Sequence, residues 1–407
     1  MDESGVAPLA GPCVGSCAAS SARSSSGSRQ PPGPLSGSSF GIAGAGLLGR
    51  LLAYRLTRAG HAVTAFDPAD GPFARFDGRG AAAFTAAGML SPVAELDHAQ
   101  SRIAALGWRS IELWKAMVSD IETEGVAPLL AMNGSLMLAH AGDMPAATRG
   151  LSRIAAGMKS APLTCRGLEP RPISVDELRA LEPSLHGASH AWLLPSEGLI
   201  DAPRTMDALH RASKAALWRW SCKVADISDG VIELEDGERV GFDHVFDVRG
   251  AGAKPQLTVR GVRGETVWLE LPDHGLTRPV RLLHPRHRLY LVPRSGDSLL
   301  LGASEIESED RSPVSLRSAV ELMAAAHSVM PSLAEARIVR LDRNLRPALP
   351  DNLPRIESSS RTTRINGLFR HGWLIGPALV EDALSMIGLG HRATATAAVS
   401  NDMQLIS

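Results

Sequence analysis

The chain has 407 residues and a formal net charge of −1 at pH 7. That length can bury a substantial core, and the charge balance gives no reason to expect nucleic acid as a partner. Hydrophobic residues make up 44%, without an uninterrupted apolar run of about 18 residues, so no membrane span is predicted. Four cysteines, Cys13, Cys17, Cys165 and Cys222, are too few and too scattered for a disulfide framework or a metal site, and a reducing cytoplasm is the expected compartment.

Residues 1–38 are rich in serine, glycine and proline and poor in large apolar side chains. Such a segment buries too little surface to offset its ordering entropy and is expected to be a disordered tail. Asp2 and Glu3 stand where a secretory signal would carry basic residues, and no apolar segment follows.

The folded region opens with Phe40-Gly41-Ile42-Ala43-Gly44-Ala45-Gly46-Leu47-Leu48-Gly49. About 20 residues further on comes Phe66-Asp67. A strand, a glycine turn, a helix over 47–59, a strand over 62–66 and a terminal acid form the layout that grips the ADP half of a dinucleotide. Gly44 permits the turn, Gly46 leaves room for a pyrophosphate, and Gly49 lets helix and sheet approach. The helix amino terminus offers free N–H groups to the phosphates. Asp67 would accept from the ribose hydroxyls, which disfavours NADP and leaves NAD and FAD open.

A loop over 78–92, crowded with glycine and alanine, would let backbone lie close to a flat ligand. A helix over 99–119 follows, with Ile103, Leu106, Ile111 and Trp114 on one face. Strands are expected over 134–139, 221–227, 231–234 and 242–248, and helices over 177–181 and 206–216. The last of these strands runs into Arg249-Gly250-Ala251-Gly252, a second glycine-rich strand end. A hairpin joins 288–293 to 298–302 across Ser295-Gly296-Asp297. Helix 315–329 carries Val320, Met323 and Ala324 as its apolar positions. A final helix is expected from Pro377 to about residue 388, with the proline in its first turn. Glycine-rich segments at the start, middle and end of the chain suit an interrupted FAD domain better than a contiguous nicotinamide domain.

Several motifs then carry a resemblance. Beside the glycine fingerprint stand Ala86-Ala87-Gly88-Met89-Leu90-Ser91-Pro92, Arg263-Gly264-Glu265 and Tyr290-Leu291-Val292-Pro293-Arg294. Gly302-Ala303-Ser304, Leu345-Arg346-Pro347 and Phe369-Arg370-His371-Gly372-Trp373 follow. Together they resemble the FAD-dependent amine oxidases of the D-amino-acid-oxidase type, most closely the glycine oxidases of thiamine biosynthesis.

The resemblance implies an α/β fold, with a Rossmann-like FAD-binding domain and an inserted α+β substrate domain. The FAD domain is expected over 39–100, 168–258 and 340–392, the substrate domain over 101–167 and 259–339, and a tail over 393–407. It implies that Gly44, Gly46, Gly49, Asp67, Ala87, Gly88, Met89, Val224, Gly250 and the backbone of Gly372, Trp373, Leu374 and Ile375 meet FAD. Attachment would be noncovalent, since no cysteine follows Cys222. Arg346 and Tyr290 would hold a substrate carboxylate, with Arg370 beside substrate and flavin and no metal involved.

The implied reaction is oxidative deamination of glycine or a similar small amino acid by O2, releasing H2O2. The product would pass to thiazole synthase, and a homo-oligomer is a candidate assembly. The alternatives are a dehydrogenase passing electrons to a quinone or carrier, a tRNA-modifying FAD oxidoreductase, and a non-catalytic flavoprotein or nicotinamide-binding regulator. Two departures stand out: Leu217-Trp218-Arg219-Trp220 replaces a glycine turn, and Glu305 places a charge where some relatives carry an apolar residue.

Overall fold

The first apolar run becomes the centre of a sheet because its residues are flanked by strands on both sides. In the computed structural model, which describes residues 37–123, 126–161, 167–285 and 288–390, strands and helices are numbered along the chain. The six-stranded sheet runs β19 (Arg355–Ser358), β20 (Thr362–Asn366), β13 (His244–Asp247), β1 (Ser39–Ala43), β2 (Ala62–Phe66) and β9 (Leu217–Arg219). All neighbours are parallel except β19 and β20. Helices α1 (Leu47–Arg58), α3 (Ser101–Ile121), α6 (Ala202–Ala212) and α8 (Gly372–Met386) share one core with Phe40 and Ile42. On the other face lies the antiparallel sheet β10 (Val224–Ser228), β11 (Val231–Leu234) and β12 (Arg239–Gly241), packed through Phe66, Ile232 and Phe242.

A second sheet has eight strands in the order β18 (Arg337–Ala348), β14 (Arg260–Glu270), β17 (Ser298–Gly302), β16 (Arg288–Pro293), β15 (Val280–Leu283), β5 (Ser135–Ala139), β7 (His190–Leu194) and β6 (Arg171–Ile173). The period of two divides its residues cleanly. Leu289, Leu291, Leu299, Leu301 and Val267 turn to one face and pack with α5 (Val175–Leu181) and α7 (Leu316–His327). Arg281, Tyr290, Gly302 and Thr266 stand in line across four strands on the opposite face. Beside that face, α2 (Pro92–Glu95) and α4 (Met144–Met158) pack on Met137 and Trp192. A small sheet of β3 (Met89–Leu90), β8 (Gly198–Ile200) and β4 (Leu130–Ala131) completes the fold.

The described residues cluster as one compact unit. Sheet membership redraws the expected domain boundaries. Residues 171–173 and 190–194, expected in the FAD domain, hydrogen-bond into the eight-stranded sheet, as does 340–348 of β18. Helix α3, expected in the substrate domain, shares its core with α1 and α8. All but the last two residues of the expected tail 1–38 lie outside the described residues, as do Cys13, Cys17, Cys165 and the stretch 393–407. Among the described residues no helix is long and apolar enough to cross a membrane.

Four local expectations are corrected. Helix α6 starts four residues early, because Asp201 Oδ1 accepts the Arg204 N–H (3.2 Å) as a cap and Pro203 suits the first turn. Residues 217–219, at the departure noted above, become edge strand β9. On α7 the buried face is Ser318, Ala319, Leu322 and Ala326, while Val320 is half exposed. The strand expected from 221 starts only at Val224, because the N–H groups of Ser221 and Cys222 turn back to Ala69 and Asp67 carbonyls.

The largest correction concerns α8, which begins at Gly372, so Pro377 lies inside it. A proline there cannot donate to the carbonyl of Trp373. That carbonyl instead accepts from Trp114 Nε1 of α3 (2.8 Å), and the next N–H, of Ala378, reaches Ser110 Oγ (3.1 Å). The two indoles stack with centroids 5.4 Å apart. Helix α3 thus repairs the turn that the proline opens. Trp114→Phe should cost about 1–3 kcal/mol by leaving a buried carbonyl unpaired. Denaturant unfolding reads this directly; unchanged stability would show that the carbonyl finds another donor.

His244 gives the fold a pH dependence. It is buried beside Phe40 and Phe246, with Nε2 2.9 Å from Thr363 Oγ1. Burial, aided by the Arg361 charge, lowers its pKa to about 4. The unfolded chain therefore binds the additional proton between about pH 4 and the ordinary value near 6.5. This contribution is complete above that window and is lost as pH falls through it. Thermal unfolding should show a decline in melting temperature there that is shallower in His244→Gln.

Candidate active site

A cavity of about 610 Å³ runs from the turn after β1 to the polar face of the eight-stranded sheet. At its nucleotide end Gly44 has φ +104°, and a β-carbon there would meet the Val248 carbonyl at 2.8 Å. A β-carbon on Gly49 would run into the Gly44 carbonyl. Gly46, by contrast, has only Ala81 Cβ nearby, at 3.7 Å, and caps α1 without any side-chain bond. The space above the helix start is thereby left open, with the dipole's positive end directed into it. Asp67 accepts the N–H groups of Ala45 (2.7 Å) and Ala69 (2.9 Å), and its carboxylate retains capacity for further donors. Val224 and Gly250 line the same wall.

At the middle of the cavity, Ala87, Gly88 and Met89 form one side and the start of α8 the other. Arg294, at the end of β16, donates to the carbonyls of Ala87 (2.6 Å), Ala86 (3.3 Å) and Ile200 (3.4 Å), tying this loop to the strand that carries Tyr290. Gly372, Trp373 and Leu374 line the cavity. Ile375 does not: its side chain is wholly buried in the core, and its N–H is bound to the His371 carbonyl at 3.0 Å.

Arg346 and Tyr290 come together on the polar face of the large sheet. Each lies over a glycine: a β-carbon on Gly264 would strike the Arg346 guanidinium, and one on Gly302 would strike the Tyr290 phenol. Arg346 Nη1 donates to the Ser304 carbonyl (3.0 Å). No carboxylate among the described residues lies within ion-pair distance of it. Burial lowers its pKa, while Tyr290 and Glu305 act the other way. Burial also raises the Tyr290 pKa, against the pull of Arg346, Arg294 and Arg281.

Arg370 is in the wall as expected, but its guanidinium is committed. Nη2 donates to Glu95 Oε2 (2.7 Å), which also lies 3.1 Å from His371 Nε2, and Glu95 Oε1 accepts from Arg281 Nη2 (3.2 Å). Burial alone would raise the Glu95 pKa, yet Arg370, His371 and Arg281 outweigh it and hold the group well below the usual carboxylate range.

Glu95 and Arg281 are site residues that sequence reasoning missed. The signal for Glu95 was an isolated acid in the apolar run Pro92–Leu96. Arg281 sits in Val280-Arg281-Leu282-Leu283, an apolar alternation broken by one charge, in a strand that sequence reading did not anticipate. Among the described residues no group of three or more His, Cys, Asp or Glu side chains is placed to hold a metal ion.

The family described as FAD dependent oxidoreductase matches residues 40–382. This chain belongs to that family. It is 34% identical over 345 residues to a Rhizobium etli protein provisionally named thiamine biosynthesis oxidoreductase ThiO, covering 84% of this chain and 94% of that protein. Glycine oxidase of Geobacillus kaustophilus is 26% identical over 363 residues, covering 83% and 89%. The crystal structure of glycine oxidase from that organism matches with a TM-score of 0.74 and 25% identity, over 88% of this chain and 96% of that one.

FAD is the cofactor of the family, and the open cradle above Gly46, the acid at Asp67 and the free start of α8 fit its three parts. A test of the substrate end follows from the glycines. Gly264→Ala needs only a displacement of the flexible Arg346 guanidinium, so the protein should fold and keep its FAD absorbance. Its KM for an amino-acid substrate should rise at least about tenfold, the loss of a charged hydrogen bond. An unchanged KM would place the carboxylate elsewhere.

Proposed function

We propose that the protein is an oxidase that converts glycine, or an amino acid of similar size, to its imine, using O2 and releasing H2O2. Water would hydrolyse the imine to the oxo acid and ammonia, or the imine would be consumed in thiazole formation for thiamine, with thiazole synthase as a partner. The names of its relatives support this direction, and the observation that carries it is Arg346: a half-buried guanidinium facing the cofactor cavity with no carboxylate within ion-pair distance among the described residues. A planar fork of donors in that condition suits a carboxylate.

FAD, held noncovalently, supplies the two-electron acceptor when bound. The chain's own residues do the rest by position. Arg346 and Tyr290 grip the carboxylate from the sheet floor and fix which α-hydrogen faces the cavity roof, where Ala87–Met89 and the start of α8 stand. Holding the reacting atoms in one arrangement accounts for much of such a rate gain. The guanidiniums of Arg281, Arg346 and Arg370 in the same wall disfavour an ammonium and so favour the neutral amine, the form that can lose hydrogen. The amino end of α8 places a positive dipole end where negative charge would gather. A reducing cytoplasm is the compartment proposed, on the low cysteine count.

The test is a peroxide assay over glycine, sarcosine and D-alanine with the FAD-loaded protein. Arg346→Ala should raise KM about a hundredfold, roughly 2–3 kcal/mol for a charged hydrogen bond, with FAD content unchanged. Absence of peroxide together with reduction of a quinone or dye would make the protein a dehydrogenase. Wild-type kinetics in the variant would remove Arg346 from the site.

A further inference from the structure

The sheet floor carries a second guanidinium beside Tyr290. Arg281 on β15 is registered directly opposite Tyr290 on β16, and Tyr290 is opposite Gly302 on β17. Directly opposed residues have β-carbons about 4.5–5.5 Å apart and project to the same face. Arg281 therefore flanks the phenol and lines the same cavity as Arg346. Its donors are poorly used. Only Nη2 finds an acceptor among the described residues, Glu95 at 3.2 Å, and Nε is buried with none. Glu95 is meanwhile engaged more closely by Arg370 (2.7 Å) and by His371.

Among the described residues the same end of the cavity is lined by three guanidiniums, Arg281, Arg346 and Arg370, and two carboxylates, Glu95 and Glu305, while the buried Glu197 also feels the Arg281 charge. Arg370 bridges the two acids, at 2.7 and 3.8 Å. At the mouth Asp97 is already taken by Arg153 (2.6 Å), and Arg149 adds a further positive charge. Glycine brings one carboxylate, which Arg346 takes, and leaves Arg281 with only its shared bond to Glu95. An amine with two carboxylates supplies an acceptor to each guanidinium, and desolvated charge is tolerated only when matched and hydrogen-bonded.

We propose that Arg281 seats a second carboxylate, and that the preferred substrate is a small amine bearing two carboxylates, one on Arg346 and one on Arg281, on either side of Tyr290. This rests on the reading of Arg346 as the first anchor. The reaction is unaltered. The C–H and N–H bonds at the oxidised carbon and nitrogen give up two electrons and two protons, O2 becomes H2O2, and water cleaves the imine to an oxo acid and an amine or ammonia.

The experiment uses FAD-loaded protein and two readouts. Acetate and malonate, which cannot be oxidised, are titrated while the flavin absorbance is followed. Glycine, aspartate and N-carboxymethylglycine are compared by kcat/KM, the last two distinguishing a second carboxylate on carbon from one on nitrogen. Malonate should bind at least about tenfold tighter than acetate, as expected for one additional charge-assisted pair. One of the dicarboxylic amines should exceed glycine similarly. Arg281→Met, or Arg281→Gln should the former not fold, should reduce both ratios towards unity. Equal binding of acetate and malonate by the wild type, with acetate binding abolished in Arg346→Ala, overturns the Arg281 proposal alone. Acetate binding that survives Arg346→Ala overturns the first anchor and, with it, this proposal.

Discussion

A guanidinium without a counter-ion is costly to bury, and the substrate end of this protein is arranged around that fact. Removing such a charge from water costs several kcal/mol unless hydrogen bonds and an opposite charge compensate. Arg346 donates one firm bond, to the Ser304 carbonyl, and occupies space cleared by Gly264. The neighbouring residues of the same strand serve to hold that space. Arg263 and Glu265 point to the other face and pair there in a buried bridge, with Arg263 Nε 2.9 Å from Glu265 Oε1. The Ser304 N–H binds the Glu265 carbonyl (3.2 Å). The Arg-Gly-Glu triplet is thus one device: two outward charges fix the loop whose carbonyl steadies the inward one.

Two sheets must be held at a set separation for a cofactor on one to meet a substrate on the other. Buried cations bound to backbone do much of this. Arg294 reaches from the large sheet to the Ala86 and Ala87 carbonyls, while within the nucleotide side Arg50 of α1 ties the glycine turn to α6 through the carbonyls of Ala45 and Met206. Burial lowers the Arg50 pKa to about 10, partly countered by Asp67 and Asp207. Glu95 performs the corresponding task with the opposite sign, joining β15 to the residues before α8. Each is a charge with several fixed partners, so each restricts distance and angle more closely than apolar packing would.

Helix α8 shows how a local defect is turned to positional use. Pro377 removes an internal bond, and the freed carbonyl of Trp373 is claimed by Trp114. The first turn of α8 is consequently held by α3 rather than by its own ladder alone. That turn is the part that enters the cavity, so the repair fixes the place where a cofactor ring would rest. The same geometry explains why Ile375 faces the core: one turn into the helix, its side chain points away from the opening.

Read by itself, the amino-acid order determined the nucleotide fold, the family and most of the cavity wall. The fingerprint from Gly44 to Asp67 depends on local spacing, and local spacing is what a sequence records. Arg346 and Tyr290 were legible because they sit in short motifs. Tertiary structure alone decided which charges meet. Arg281 and Arg370 are separated by 186 and 275 positions from the carboxylate they share, Glu95, and no periodicity encodes an ion pair across such distances. Strand register across the large sheet, which sets Arg281 opposite Tyr290, and the start of α8 before its proline were likewise fixed by packing. Side-chain partnership is a property of the folded surface, where elements remote in the chain become neighbours, and only there do unpaired charges become visible.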